Sequence, residues 1–157
     1  MNTLIIYDSS FDNTRRIADD ISWGMGGNAW VVHVDDDYGQ YLRECDMLVV
    51  GSPTHGGFPT PPIQDFLRGV TADEIGNMPI AAFDTRVHGR WLKVIGFAAD
   101  KIARRLEHKG GKLVMPPEGF YVEGKEGPID VGEEARAKNW GGLLEETARK
   151  HVTAKAL

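Results

Sequence analysis

Thr3-Leu4-Ile5-Ile6-Tyr7-Asp8-Ser9-Ser10-Phe11-Asp12-Asn13-Thr14 is the stretch that decides how this chain folds. Its first five residues form a nearly continuous apolar run, which reads as a strand buried on both faces. Asp8-Ser9-Ser10 stops the run. Ile17, Ala18, Ile21 and Met25 then recur at spacings of one, three and four, so a helix with one apolar side follows. Asp12, Asn13 or Thr14 can cap its start, and Gly26-Gly27 ends it.

The same alternation continues outward. Ala29 to Val34 reads as a second strand, followed by the acidic turn Asp35-Asp36-Asp37 and a short helical turn around Tyr41-Leu42. Asp46 to Gly51 is a third strand, apolar nearly throughout. It runs into Ser52-Pro53-Thr54-His55-Gly56-Gly57-Phe58-Pro59, which is not expected to continue a strand. Pro61 or Pro62 can open a helix carrying Ile63, Phe66, Leu67 and Val70. Pro79 to Phe83 is a fourth strand ending at Asp84-Thr85. A long helix is expected from Trp91 to His108, with Val94 and Ile95 on its inner side, stopped by Gly110-Gly111. Lys112 to Met115 is a fifth strand, halted by Pro116-Pro117, while Phe120-Tyr121-Val122 either extends the sheet or forms an edge ribbon. A final helix is expected over 132–150, with a frayed tail from Val152. Strands alternating with helices indicate an α/β class with a parallel sheet. No Pro- or Ser-rich linker and no repeat divides the chain, so one domain over 1–151 with a tail at 152–157 is expected.

Composition narrows the function classes. The net charge is −5, from 18 basic and 23 acidic residues, which argues against nucleic-acid binding. The pairs Arg15-Arg16 and Arg104-Arg105 fall within helical patterns and read as solvated faces. A single cysteine, Cys45, excludes an internal disulfide and a multi-thiolate zinc site, and reads as a small buried hydrophobe. No apolar run is long enough to cross a bilayer, and Met1-Asn2-Thr3 carries no basic patch of a signal peptide, so a cytoplasmic protein is expected. Trp23, Trp30 and Trp140 read as core or partly buried packing. Glycine stands out at 19 residues, many in short clusters between apolar segments, which places function in tight loops.

In an open α/β sheet, ligands bind beyond the carboxyl ends of the strands, where strand order reverses. Three loops qualify: 8–15, 51–60 and 84–91. In the first, hydroxyls and free backbone N–H groups at a helix start can hold a phosphate, and the same residues equally serve as ordinary caps. It is neither a P-loop nor a Gly-x-Gly-x-x-Gly turn. No Ser-His-Asp set can be placed.

Ser9-Ser10-Phe11-Asp12-Asn13-Thr14 between its strand and Ile17-Ala18 resembles the phosphate loop of the flavodoxin family. Val49-Val50-Gly51-Ser52-Pro53-Thr54-His55-Gly56-Gly57 resembles that family's second loop, and Asp84-Thr85-Arg86 falls at its other ring-side loop. The resemblance implies a three-layer flavodoxin-like fold with a five-stranded parallel sheet of order 2-1-3-4-5, and FMN as the cofactor. It implies that Ser9, Ser10, Phe11, Asp12, Asn13 and Thr14 surround the phosphate. Phe11 stands where a hydroxyl residue is common and Asp12 where glycine is common; an ionised Asp12 disfavours a phosphate unless it turns outward or caps the helix. Pro53, Thr54, His55, Gly56, Gly57, Phe58, Asp84, Thr85, Arg86, His88 and Trp91 would flank the flavin ring. Phe58, His55, His88 and Trp91 are the flat or aromatic candidates to meet it. Trp91 reads equally as the first core residue of its helix, and His55 as a plain loop residue. Arg86 facing the ring would favour the reduced, anionic flavin; otherwise it is a surface arginine.

Three functions follow from the resemblance. One is an FMN-binding, low-potential electron carrier, working with protein redox partners as a monomer or weak homodimer, its acidic surface steering a basic partner. Another is an NAD(P)H-dependent FMN quinone or nitro-compound reductase. The last is a binding module of this fold that has lost FMN, for which Phe11 and Asp12 are the best support.

Overall fold

The structure is a computed structural model that describes residues 1–90 and 92–157. Six strands form one parallel sheet: β1 (Thr3–Tyr7), β2 (Trp30–His33), β3 (Met47–Pro53), β4 (Pro79–Val87), β5 (Lys112–Leu113) and β6 (Glu118–Val122). The order is β2-β1-β3-β4-β5, with β6 also on β4. The sheet is thus five positions wide in the expected order 2-1-3-4-5. β5 pairs with Pro79 and Ile80, and β6 takes over the same edge from Phe83 to Val87. Pro116-Pro117 therefore interrupts the fifth position without ending it, and Phe120-Tyr121-Val122 extends the sheet.

Period-2 alternation along the apolar strands feeds two cores. Leu4, Ile6, Leu48, Val50, Ile80 and Ala82 face one side, where α3 (Pro61–Gly69) and α6 (Ala98–His108) cover them with Ile63, Phe66, Ile102 and Leu106. Ile5, Val49, Ala81 and Phe83 face the other, beneath α1 (Asn13–Gly24) and α7 (Glu133–Lys155), which contribute Ile17, Ile21, Trp140 and Leu144. Glycine lets α1 and α7 touch backbone to backbone: a Cβ at Gly141 would overlap the Ile21 carbonyl. Short helices complete the chain: α2 (Gly39–Glu44), α4 (Ala72–Ile75) and α5 (Leu92–Ile95). No helix among the described residues is long and apolar enough to cross a membrane.

Several boundaries differ from expectation. β3 continues through Ser52 and Pro53, which pair with Asp84 and Thr85. Thr54 N–H donates toward β4, so the missing N–H of Pro53 points to the other side, beyond the last β1 pair at Tyr7–Gly51. β4 runs on to Val87 because β6 gives its outer edge a partner. The helix expected from Trp91 is broken at Gly96, whose φ of 92° no helix contains. Val94 consequently lies 88% exposed instead of inward, and Ile95 is also exposed. Trp91 lies outside the described residues. α4 escaped the sequence reading although Thr71 and Glu74 form a reciprocal capping box. α7 runs on to Lys155, through most of the expected tail. Trp140 is buried and Trp30 half-buried, whereas Trp23 is 69% exposed, with Lys138 Nζ 5.0 Å above its ring. Cys45 is buried, and burial pushes its thiol up to about 11, so it stays protonated and inert.

Candidate functional site

The strands β1, β3 and β4 end together, and the loops leaving them enclose a half-open cleft of about 510 Å³. β1 and β3 are the neighbours at which the chain's strand order reverses, as the strand-end rule requires. Loop one supplies Ser9, Ser10, Phe11, Asn13 and Thr14. Loop two supplies Pro53, Thr54, His55 and Gly56. The end of β4 supplies Thr85, Arg86 and Val87. A fourth segment adds Val122 and Lys125.

Direct bonds fix these loops to one another. Thr14 Oγ1 and Thr85 Oγ1 share a buried hydrogen bond of 2.8 Å, joining the start of α1 to β4. Thr54 N–H donates to the Thr85 carbonyl at 2.9 Å, joining loop two to the same residue. Ala98 N–H, at the start of α6, donates to Thr54 Oγ1 at 3.0 Å. Asp8, just past β1, accepts from Ser9 N–H at 2.8 Å. It also accepts from His33 Nε2 at 3.1 Å, since Asp35 N–H donates to His33 Nδ1 and leaves the ring proton on Nε2.

Loop one has the form of an anion cradle. The backbone N–H groups of Ser10, Phe11, Asn13 and Thr14 have no hydrogen-bond partner among the described residues. They sit at the positive end of α1, beside the Ser9 and Ser10 hydroxyls. Asp12 takes φ 66°, the left-handed conformation that glycine adopts most freely. Its side chain turns outward and does not cap the helix; it points to Arg15 at 3.7 Å. Asp12 is therefore absent from the cleft lining, and its charge faces solvent.

Lys125 reaches the cleft from a hairpin beyond β6. Glu123 N–H donates to the Pro128 carbonyl, and Gly127 N–H to Gly124, each at 2.9 Å. The hairpin rests on loop one so closely that a Cβ at Gly127 would lie 2.8 Å from Asn13 Oδ1. The segment 116–130 is thus partly sheet and partly a hairpin resting on loop one. The sequence offered no signal for Val122 and Lys125, because only the β4–β6 pairing brings them to loop one.

Other expected residues stand elsewhere. Phe58 closes a hairpin with His55 through mutual backbone bonds of 2.9 and 3.0 Å and turns to the α3–α6 side. Gly57 is covered by Ile95 and Gly96. His88 stacks on Tyr121 at 4.3 Å and donates through Nε2 to Asp130 at 2.6 Å, away from the cleft lining. Asp84 is fully buried beneath α6. Its carboxylate accepts two bonds from Arg86, at 2.7 and 2.8 Å, and one from Ala99 N–H at 3.0 Å. Burial raises the Asp84 pKa, opposed by Arg86, Ala99 N–H and Thr54. The Arg86 guanidinium lies 3.5 Å above the Phe97 ring and close against Gly119, which has no side chain to displace it. Arg86 is neither a free cation over the cleft nor a surface arginine: its charge is matched by Asp84.

No family model matches the chain, and no curated protein matches it. Solved structures do. A flavodoxin from the domain Archaea aligns with a TM-score of 0.78 at 19% identity, covering 95% of this chain and 99% of that one. A WrbA-like flavodoxin from Agrobacterium tumefaciens aligns with a TM-score of 0.77 at 19% identity, covering 96% and 98%. Oxidised flavodoxin 1 from Bacillus cereus gives a TM-score of 0.76 at 18% identity, over 93% and 98%. The architecture is that of the doubly wound α/β class, with its ligand crevice at the strand ends. In particular it is flavodoxin-like, over nearly the full length of each of these chains.

Proposed function

We propose that this protein binds FMN in the cleft and carries electrons between protein partners in the cytoplasm. The observation that carries the proposal is the pairing of two chemistries in one cleft. An anion cradle of unpartnered N–H groups at 10–14 lies beside Lys125, and next to it run the apolar or flat walls Phe11, Pro53, His55, Val87 and Val122. A phosphorylated, planar cofactor needs both, and the cleft's volume is in the range of small-molecule sites.

On this reading Ser9, Ser10, Asn13, Thr14 and Lys125 hold the phosphate. Pro53, Thr54, His55, Gly56, Thr85, Val87 and Val122 would line the space for the flavin ring. FMN supplies reversible redox chemistry when bound. The chain's own part is to bind, orient and exclude water. The Thr14–Thr85 and Thr54–Thr85 bonds hold the loops at fixed spacing, and Val87 and Val122 give one wall an apolar surface. The Asp84–Arg86 pair would leave no net charge at the inner end of β4 for the ring to meet. Asp12 is turned outward toward Arg15, which takes away its share of the argument for a module that has lost FMN, while Phe11, the other residue behind that argument, lines the cleft.

An anaerobic redox titration of the FMN-loaded protein tests the carrier reading. Two separated one-electron steps with no catalytic NAD(P)H oxidation support it. Rapid NAD(P)H turnover in a stable oligomer would replace it with the reductase reading.

A further inference from the structure

The groove between α3 and α6 lies just across the His55–Phe58 hairpin from the cleft. Its volume is about 290 Å³. Phe58, Pro59 and Leu67 form an apolar floor, and Lys101, Arg104 and Arg105 line the α6 side. These three cations recur at helical spacing, so they project along one flank of α6. None of them pairs with a carboxylate among the described residues. Asp65, the carboxylate on α3, is paired by Arg68; of the two carboxylates on α6, Asp100 in its first turn is absent from the groove lining and Glu107 lines a different hollow beside β5.

A chain of net charge −5 thus concentrates unpaired positive charge on one face. Phe58 on that face is 51% exposed, yet it is held in place. Lys101 Nζ sits 4.2 Å above its ring and donates to the Gly57 and Ile95 carbonyls, and its own chain is pinned by the hairpin bonds to His55. An exposed, pinned aromatic with one cation on its ring and two more in the same groove has the make-up of a protein-docking hot spot. The groove meets α6 over one turn, Lys101 to Arg105, and its half-exposed Phe58 suits a protein surface better than an enclosed small ligand.

We infer that the α3–α6 groove docks an acidic electron-transfer protein, whose carboxylates meet Lys101, Arg104 and Arg105 around Phe58. The complementarity runs opposite to the expectation from overall charge, which pointed to a basic partner. Charge on the docking face, not the net charge, sets orientation at encounter. Docking there brings the partner to one side of the His55–Phe58 hairpin, whose other side lines the cleft. That the partner is a redox protein rests on the carrier reading; the acidic docking itself does not.

The test is a titration of isotope-labelled protein, both FMN-free and after addition of FMN, with oxidised plant-type [2Fe–2S] ferredoxin as acidic probe and cytochrome c as basic probe. The expected result is saturable ferredoxin binding at low salt, with amide shifts centred on Phe58, Lys101, Arg104 and Arg105. Raising salt and the double variant Arg104→Glu/Arg105→Glu each weaken it about tenfold or more, and Arg104→Gln/Arg105→Gln weakens it less. Cytochrome c leaves these amides unmoved. No saturable ferredoxin binding, shifts lying elsewhere, or insensitivity to charge reversal in a folded variant would overturn the inference. So would NADP⁺ shifting the same amides as strongly, which would make the groove a nucleotide site. Ferredoxin binding without FMN uptake supports the groove and fails the carrier reading alone; FMN uptake without groove binding fails the groove alone.

Discussion

Asp84 and Arg86 stand two apart on β4, so their side chains share a face. That spacing was legible, but the burial of the pair was not, because α6 and Gly119 come from distant parts of the chain. A buried pair is costly to break on one side, since the remaining charge loses its partner. Asp84→Asn should therefore destabilise the protein by about 3 kcal/mol, read by urea denaturation, with most of the loss recovered in Asp84→Asn/Arg86→Met. Loss of less than about 1 kcal/mol would show that Arg86 does not depend on Asp84. Charge at the cradle makes a second prediction. Lys125→Glu should weaken FMN binding about tenfold, and Asp12→Gly should strengthen it no more than about threefold, because Asp12 already faces solvent. A large gain in Asp12→Gly, measured by fluorescence titration, would mean that its carboxylate does reach the phosphate.

The elements were most legible where a local pattern was strong. The apolar runs at Leu4–Tyr7 and Met47–Val50 and the spacing Ile17, Ala18, Ile21 dictated β1, β3 and α1 almost unaided. What the sequence hid was pairing. β4 reaches Val87 and β6 joins the sheet only because each provides the other's edge, and a bare string of Glu118-Gly119-Phe120 carries little of that. Gly96 was a readable break that the apolar spacing of Val94 and Ile95 overrode. β6 is further held by Glu133 of α7, which accepts from Tyr121 N–H at 2.8 Å and from Arg136. The Arg136 bonds, chiefly, hold the Glu133 carboxyl below its ordinary value of 4.5, with Tyr121 N–H helping and burial opposing. A depressed folded pKa gives stability that is complete above the unfolded value and lost as pH falls through the folded one. Glu133→Gln should therefore cost about 1.5 kcal/mol at neutral pH, and thermal melts of the two proteins should converge as pH drops below 4.5. A cost that stays constant into acid would assign the effect to packing instead of charge.

Across the whole molecule, the strand order fixes where the cleft must lie, and the flavodoxin-like fold follows from alternation, glycine placement and two buried sheet faces. The lining of the candidate cleft was legible as two loops, 9–14 except Asp12 and 53–56, and illegible as a wall, since Val87, Val122 and Lys125 arrive through the far edge of the sheet. The aromatic candidates read worst: Phe58 and His88 sit beside the cleft's loops in sequence, yet point to the α3–α6 groove and to Tyr121. The central claim is that this cleft holds a flavin by its phosphate. Its most direct test is a fluorescence titration of FMN and of riboflavin, which lacks the phosphate, with the FMN-free protein. The account predicts saturable quenching of FMN at micromolar concentration or below, with riboflavin bound at least about tenfold more weakly. FMN left unquenched at micromolar protein, or riboflavin bound as tightly as FMN, would contradict it.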